Sequence, residues 1–109
     1  MQGRRRPDTR FGDLPDDLQP GDYWKILDRE TGEPMKSDNP QNLTGTCWHV
    51  VAPVEREYPV IGYLRNPTVR EEDDGTISVR PGDGSSNSIA ISDGGGEIFH
   101  GYIEHGVWG

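Results

Sequence analysis

Thr76-Ile77-Ser78-Val79-Arg80 runs into the loop Pro81-Gly82-Asp83-Gly84-Ser85-Ser86-Asn87, and Ser88-Ile89-Ala90-Ile91-Ser92 runs out of it. In both flanks apolar and polar residues alternate with a period of two, the pattern of a half-buried strand. The Gly and Ser between them read as a turn, with spare hydroxyls on an open backbone. Working outward, Asp73-Asp74-Gly75 is a hairpin-turn signal that pairs 76–80 with 68–71. Asp93-Gly94-Gly95-Gly96 gives a second turn between 88–92 and 97–103. His105-Gly106 gives a third before Val107-Trp108.

The same period holds nearer the start of the chain. Over 22–28, Tyr23, Lys25 and Leu27 oppose Trp24 and Ile26; over 46–52, Thr46, Trp48 and Val50 oppose Cys47, His49 and Val51. The run 58–64 is nearly all apolar apart from Pro59 and Gly62, which predicts a central strand or one with a bulge. Segment 11–21 holds Leu14, Pro15, Leu18 and Pro20, enough for one short helical turn, and no amphipathic helix of ordinary length follows. The expected fold is therefore all-β: a small single domain over 11–109, mainly antiparallel, either a sandwich or a partly open barrel. Residues 1–10, with Arg4, Arg5, Arg6 and Arg10, read as a flexible basic tail.

Composition narrows the function classes. The chain has 109 residues, 30% hydrophobic content and a net charge of -8, so one domain with a small core is expected. An acidic body repels phosphate and argues against nucleic acid as a partner. A single cysteine, Cys47, excludes an intrachain disulfide and fits a reducing cytoplasm. Neither a membrane-spanning apolar run nor a signal peptide is visible, so a cytoplasmic protein without a membrane partner is expected.

Three constellations bear on chemistry. The first joins Ser85, Ser86 or Ser88 to His100, because a serine hydroxyl needs a base in hydrogen-bond reach to act as a nucleophile. Register decides the matter. A four-residue loop at 93–96, pairing Ser92 with Glu97, sets Ile89 opposite His100 and points Ser88 away. A three-residue loop, pairing Asp93 with Glu97, sets Ala90 opposite His100 and makes Ser88 its diagonal neighbour on one face. The second constellation is a zinc site drawn from Cys47, His49 and His105, with His100 nearby, although its spacing matches no closed structural zinc pattern, and no metal cofactor is expected. The third is acidic, Glu71-Glu72-Asp73-Asp74-Gly75 with Asp83, which lacks calcium-loop spacing and reads as a solvated hairpin tip.

Leu14-Pro15-x-x-Leu18-x-Pro20-Gly21-x-Tyr23, Asp74-Gly75-Thr76-Ile77-Ser78-Val79-x-Pro81, Ser88-Ile89 and His100-x-Tyr102-Ile103-x-x-Gly106-Val107-Trp108 occur in that order. In this the chain resembles a small domain family of bacteria and actinobacterial phages, whose bacterial members sit beside ubiquitin-like conjugation genes and look like serine peptidases. The resemblance implies Ser88 as nucleophile and His100 as base, with Ser85 and Ser86 as alternates. Asp13, Glu97 and Glu104 are candidates for the acid, and the loop backbone at Gly82 and Gly84 for the oxyanion hole. It implies a protein or peptide substrate, such as a ubiquitin-like tail or isopeptide, processed in the bacterial cytoplasm. The chain departs from the family pattern in two places. Gly82 to Asn87 separate Pro81 from Ser88, and only Cys47-Trp48-His49 stands where the family has a zinc segment. The competing expectation is a phage accessory protein, or a minor virion component, that binds a host protein through acidic and aromatic surface without catalysis.

Overall fold

The strand Asp22–Leu27 (β3) organises the molecule. Gly21, at φ +90°, turns the chain into it after Pro20, and Tyr23, Trp24 and Ile26 are all buried. A strand covered on both faces needs partners on both edges, and the computed structural model, which describes residues 1–36, 46–64, 69–79 and 89–109, supplies them. Trp48–Val51 (β4) pairs antiparallel on one edge, with Tyr23 opposite Val50 and Trp24 opposite His49. Ile61–Leu64 (β5) continues the sheet beyond β4. On the other edge, Arg4–Arg5 (β1) and Thr9–Arg10 (β2) run parallel to β3. The five-stranded sheet so formed places β5 at its end and in regular register with β4, neither central nor bulged, the two alternatives that 58–64 suggested.

Among the described residues, three two-stranded ribbons accompany the sheet. Arg70–Glu71 (β6) pairs with Ile77–Ser78 (β7), Ile89–Ser92 (β8) with Glu97–Gly101 (β9), and Ile103–Glu104 (β10) with Val107–Trp108 (β11). Their inward residues Ile77, Ile89, Ile91, Ile103 and Trp108 meet Tyr23, Trp48, Val50 and Leu64 from one sheet face in a single apolar cluster. Fully burying a side chain of this size contributes about 1.5–3 kcal/mol. At Gly62 the sheet and β8 come so close that a Cβ would lie 3.1 Å from Ile91 and 3.2 Å from Val50. The all-β expectation holds in this open, layered form, in which the sheet does not close into a barrel and no described residue is helical. Among the described residues no helix is long and apolar enough to cross a membrane.

Residues 1–10 overturn the expectation of a flexible basic tail. Besides β1 and β2, Gln2 bridges Val107, Gly3 N–H donates to the Gly106 carbonyl at 2.6 Å, and the terminal ammonium lies 3.2 Å from the Trp108 carbonyl. The physical reason is Asp22, 1% exposed at the start of β3. Its Oδ1 accepts from Arg4 Nε at 3.0 Å, while its Oδ2 accepts from Arg4 Nη2 at 2.9 Å and Arg6 Nη1 at 3.1 Å. Arg5 lies 4.7 Å over the Trp48 ring and donates to Asp8 and the Gly75 carbonyl. A charge run that reads as solvated is therefore committed to internal partners.

The same arginines explain why 11–21 forms no helical turn. The carbonyls of Asp16 and Asp17 accept from Arg6 and Arg4, so they point away from any i to i+4 ladder. Asp17 adopts φ +57° to turn its carbonyl this way.

Candidate active site on the β8–β9 hairpin

The turn between β8 and β9 spans residues 93–96. Asp93 Oδ1 accepts from Gly95 N–H at 3.2 Å, and Gly94 and Gly96 take φ +88° and +140°, values that favour glycine. Ser92 closes the hairpin opposite Glu97, as the four-residue loop requires, yet Ala90 lies opposite His100, as the three-residue loop requires. A β-bulge reconciles them. Ile91 pairs with Phe99 and Ser92 with Glu97, so Ile98 is an extra residue on β9.

That extra residue reverses the alternation of side chains along β9. Glu97 and His100, three apart and on opposite faces of a regular strand, share the exposed face. Glu97 Oε1 lies 3.5 Å from His100 Nδ1, with the two side chains 50% and 56% exposed. A carboxylate at Nδ1 favours the tautomer protonated there and leaves Nε2 as the basic nitrogen. Apolar neighbours fix the strand from behind: Ile89 and Ile91 are buried, and Phe99 meets Trp108 edge-on at 5.4 Å.

The other expected residues divide as follows. Ser85, Ser86, Ser88, Gly82 and Gly84 lie outside the described residues. Of the acid candidates, Glu97 is beside His100; Asp13 pairs with Arg29 at 3.2 Å, and Glu104 sits on β10. The zinc alternative is not assembled. Cys47 is buried just before β4, while His49 lies between the tilted rings of Trp24 and Tyr63, each 5.4 Å away, and its Nδ1 donates to the Gly62 carbonyl. Burial holds the His49 imidazole below its usual pKa, partly offset by that hydrogen bond. His105 stands instead at the β10–β11 turn, with Nε2 3.5 Å from Glu72 Oε2. No group of three or more His, Cys, Asp or Glu among the described residues is placed to hold a metal.

Two arrangements escaped the sequence reading. Ser78, 3% exposed, donates to Glu72 Oε2 at 2.6 Å and accepts from His105 N–H at 2.9 Å. It joins a serine, a glutamate and a histidine, but with its O–H donated to the carboxylate and its oxygen accepting from a backbone N–H, the hydroxyl is a latch between the β6–β7 ribbon and the last turn. Asp22 is the other: burial alone would raise its pKa, but the Arg4, Gln19 and Arg6 hydrogen bonds hold it below the usual carboxylate value. A lone Asp at a strand start carries no signal of that role; the three arginines upstream were the visible half of it. Comparison with family models, with curated proteins and with solved structures gives no match.

Proposed function

We propose that the protein is a small serine hydrolase acting on a protein or peptide amide, with His100 as general base and Glu97 as its carboxylate partner. The observation that carries this reading is the 3.5 Å approach of Glu97 Oε1 to His100 Nδ1 on an exposed hairpin face. The sequence argument for Ser88 as the nucleophile required Ala90 opposite His100, and that is the register of the described strands. Ser85 and Ser86 are the alternates. In the reaction the serine oxygen attacks the carbonyl carbon as its proton passes to His100 Nε2. That proton then goes to the leaving amine; water, deprotonated by the same nitrogen, bonds to the acyl carbon, and the proton passes from Nε2 to the serine oxygen as the acyl–serine bond breaks. The family resemblance adds the substrate class, the tail or isopeptide of a ubiquitin-like protein, in a bacterial or phage setting.

A fluorophosphonate probe tests this. Wild type should label, Ser88→Ala should fall to background, and His100→Ala should slow labelling by about 10²–10⁴-fold. Glu97→Gln should slow it less than His100→Ala, with a changed pH profile. Equal labelling of wild type, Ser88→Ala, Ser85→Ala and Ser86→Ala would remove serine catalysis and leave the non-catalytic accessory role.

A further inference from the structure

Away from the hairpin face, the segment between β4 and β5 rises over the first turns of the chain and encloses an open pocket of about 130 Å³. Leu18, Pro20, Val54, Tyr58 and Pro59 line it, with Val51, itself 1% exposed, also on its wall. The volume is close to that of an engineered cavity of about 150 Å³ that takes up benzene. It therefore has room for one ring or one large aliphatic side chain. Tyr58 contributes a ring that is 58% exposed. Aromatic surface left open beside a pocket suits a binding anchor, because ring area is gained at little cost in side-chain freedom.

Charge around the pocket is one-sided. Arg56 belongs to the lining, but its Nη1 is engaged by Asp93 Oδ2 at 3.2 Å. Glu57, also in the lining, and the neighbouring Glu55 are exposed and make no ion pair among the described residues. The arginines that offset acidity elsewhere are committed to Asp22, Asp8 and Glu71, within a chain of net charge -8. An apolar recess of one-residue size, flanked by carboxylates without an ion pair among the described residues, selects an apolar residue between cations.

We infer that this pocket is a docking site for a basic peptide, taking one aromatic or large aliphatic side chain between flanking lysines or arginines. The inference stands apart from hydrolysis and requires no chemistry at His100. Binding to it holds the peptide against residues 54–59, whose Arg56 is tied to Asp93 at the entrance of the β8–β9 turn.

The test is a titration of the ¹⁵N-labelled full chain with acetyl-Lys-Phe-Lys-amide, acetyl-Lys-Ala-Lys-amide and acetyl-Glu-Phe-Glu-amide at low ionic strength. The first peptide should saturate shifts at Val51, Val54 and Tyr58. The other two should bind at least about tenfold more weakly, the loss expected when ring burial or charge complementarity is removed. Glu57→Lys should invert the preference between the lysine- and glutamate-flanked peptides, and Tyr58→Ala should weaken the Phe peptides and leave the Ala peptide unchanged; neither side chain belongs to the core. His100→Ala should leave affinity unchanged, which separates this result from the outcome of the probe experiment. Equal affinity for all three peptides, no saturation at millimolar concentration, or shifts confined to the β8–β9 hairpin would overturn the inference.

Discussion

Replacing Asp22 by Asn keeps the size of the side chain and removes its charge, and the hydrogen-bond geometry sets the cost. Oδ2 accepts from Arg4 Nη2, Arg6 Nη1 and Gln19 N–H, and Oδ1 from Arg4 Nε. Asparagine has one oxygen, so whichever way its amide is turned, its NH₂ faces at least one donor. Removing one partner of a fully buried ion pair costs about 3–5 kcal/mol. Here the carboxylate is 1% exposed while the Arg4 and Arg6 side chains are 47% and 17% exposed, so water recovers part of the loss. A destabilisation of about 2–3 kcal/mol follows. With a urea slope of about 1–3 kcal/mol/M for a domain of this size, the midpoint should fall by about 0.7–3 M at pH 7.

The pH profile adds a second readout on Asp22. Its folded pKa is depressed, so its contribution is fully present above the unfolded value of about 3.9 and is lost as pH falls through the folded value. Asp22→Asn should therefore flatten the acid limb as well as lower the plateau. A variant within about 0.5 kcal/mol of wild type at pH 7, with the same acid slope, would refute the claim that Asp22 holds the N-terminal strands in place.

Further expectations concern close packing, a buried imidazole and a turn. Gly3→Ala puts a Cβ 2.7 Å from the Gly21 carbonyl and 2.9 Å from the Gly106 carbonyl, and should cost about 1–3 kcal/mol in chemical denaturation. Because both contacts are backbone, no rotamer relieves them. His49, whose folded pKa is depressed by burial, lets the unfolded chain bind the first proton. Stability should decline as pH falls below about 6.5 towards the folded value, and His49→Gln should remove that component from a Tm-versus-pH series. His105 holds φ +47° in a turn completed by Gly106 at φ +79°. His105→Gly should recover about 0.5–1 kcal/mol of backbone strain, less whatever the Glu72 contact contributes, measured by thermal unfolding.

Period-two patterning was enough to place β3, β4 and the three ribbons, since alternation and glycine turns are local properties of the chain. The turn at His105-Gly106 was legible for the same reason. The N-terminal arginines were not, because a charge run shows its sign and not its partner, and Asp22 is separated from Arg4 by 18 positions. The hairpin register was legible only as two alternatives. Each was half right, because Ile98 looks like any strand residue until its partner Ile91–Ser92 is seen to skip it. His100 was legible as an imidazole whose face depends on register, and the observed register sets it on the exposed face of β9. Its neighbour Glu97 stood as one of three acids, and the bulge is what brings it beside His100.

The contact between the terminal ammonium and the Trp108 carbonyl joins groups 107 positions apart, and it bears on how fast the molecule can assemble. Contacts so distant in sequence must bear the entropy of closing a loop of that length, and domains rich in them fold on the slow, millisecond-to-second side. The pairing of Arg4 and Arg6 with Asp22 spans only 18 and 16 positions. On refolding, the arginine strand can therefore dock on β3 well before β11 arrives. The last ribbon then meets a surface already neutralised and in place, so the slow step ends in short-range packing rather than in a search between unpaired charges.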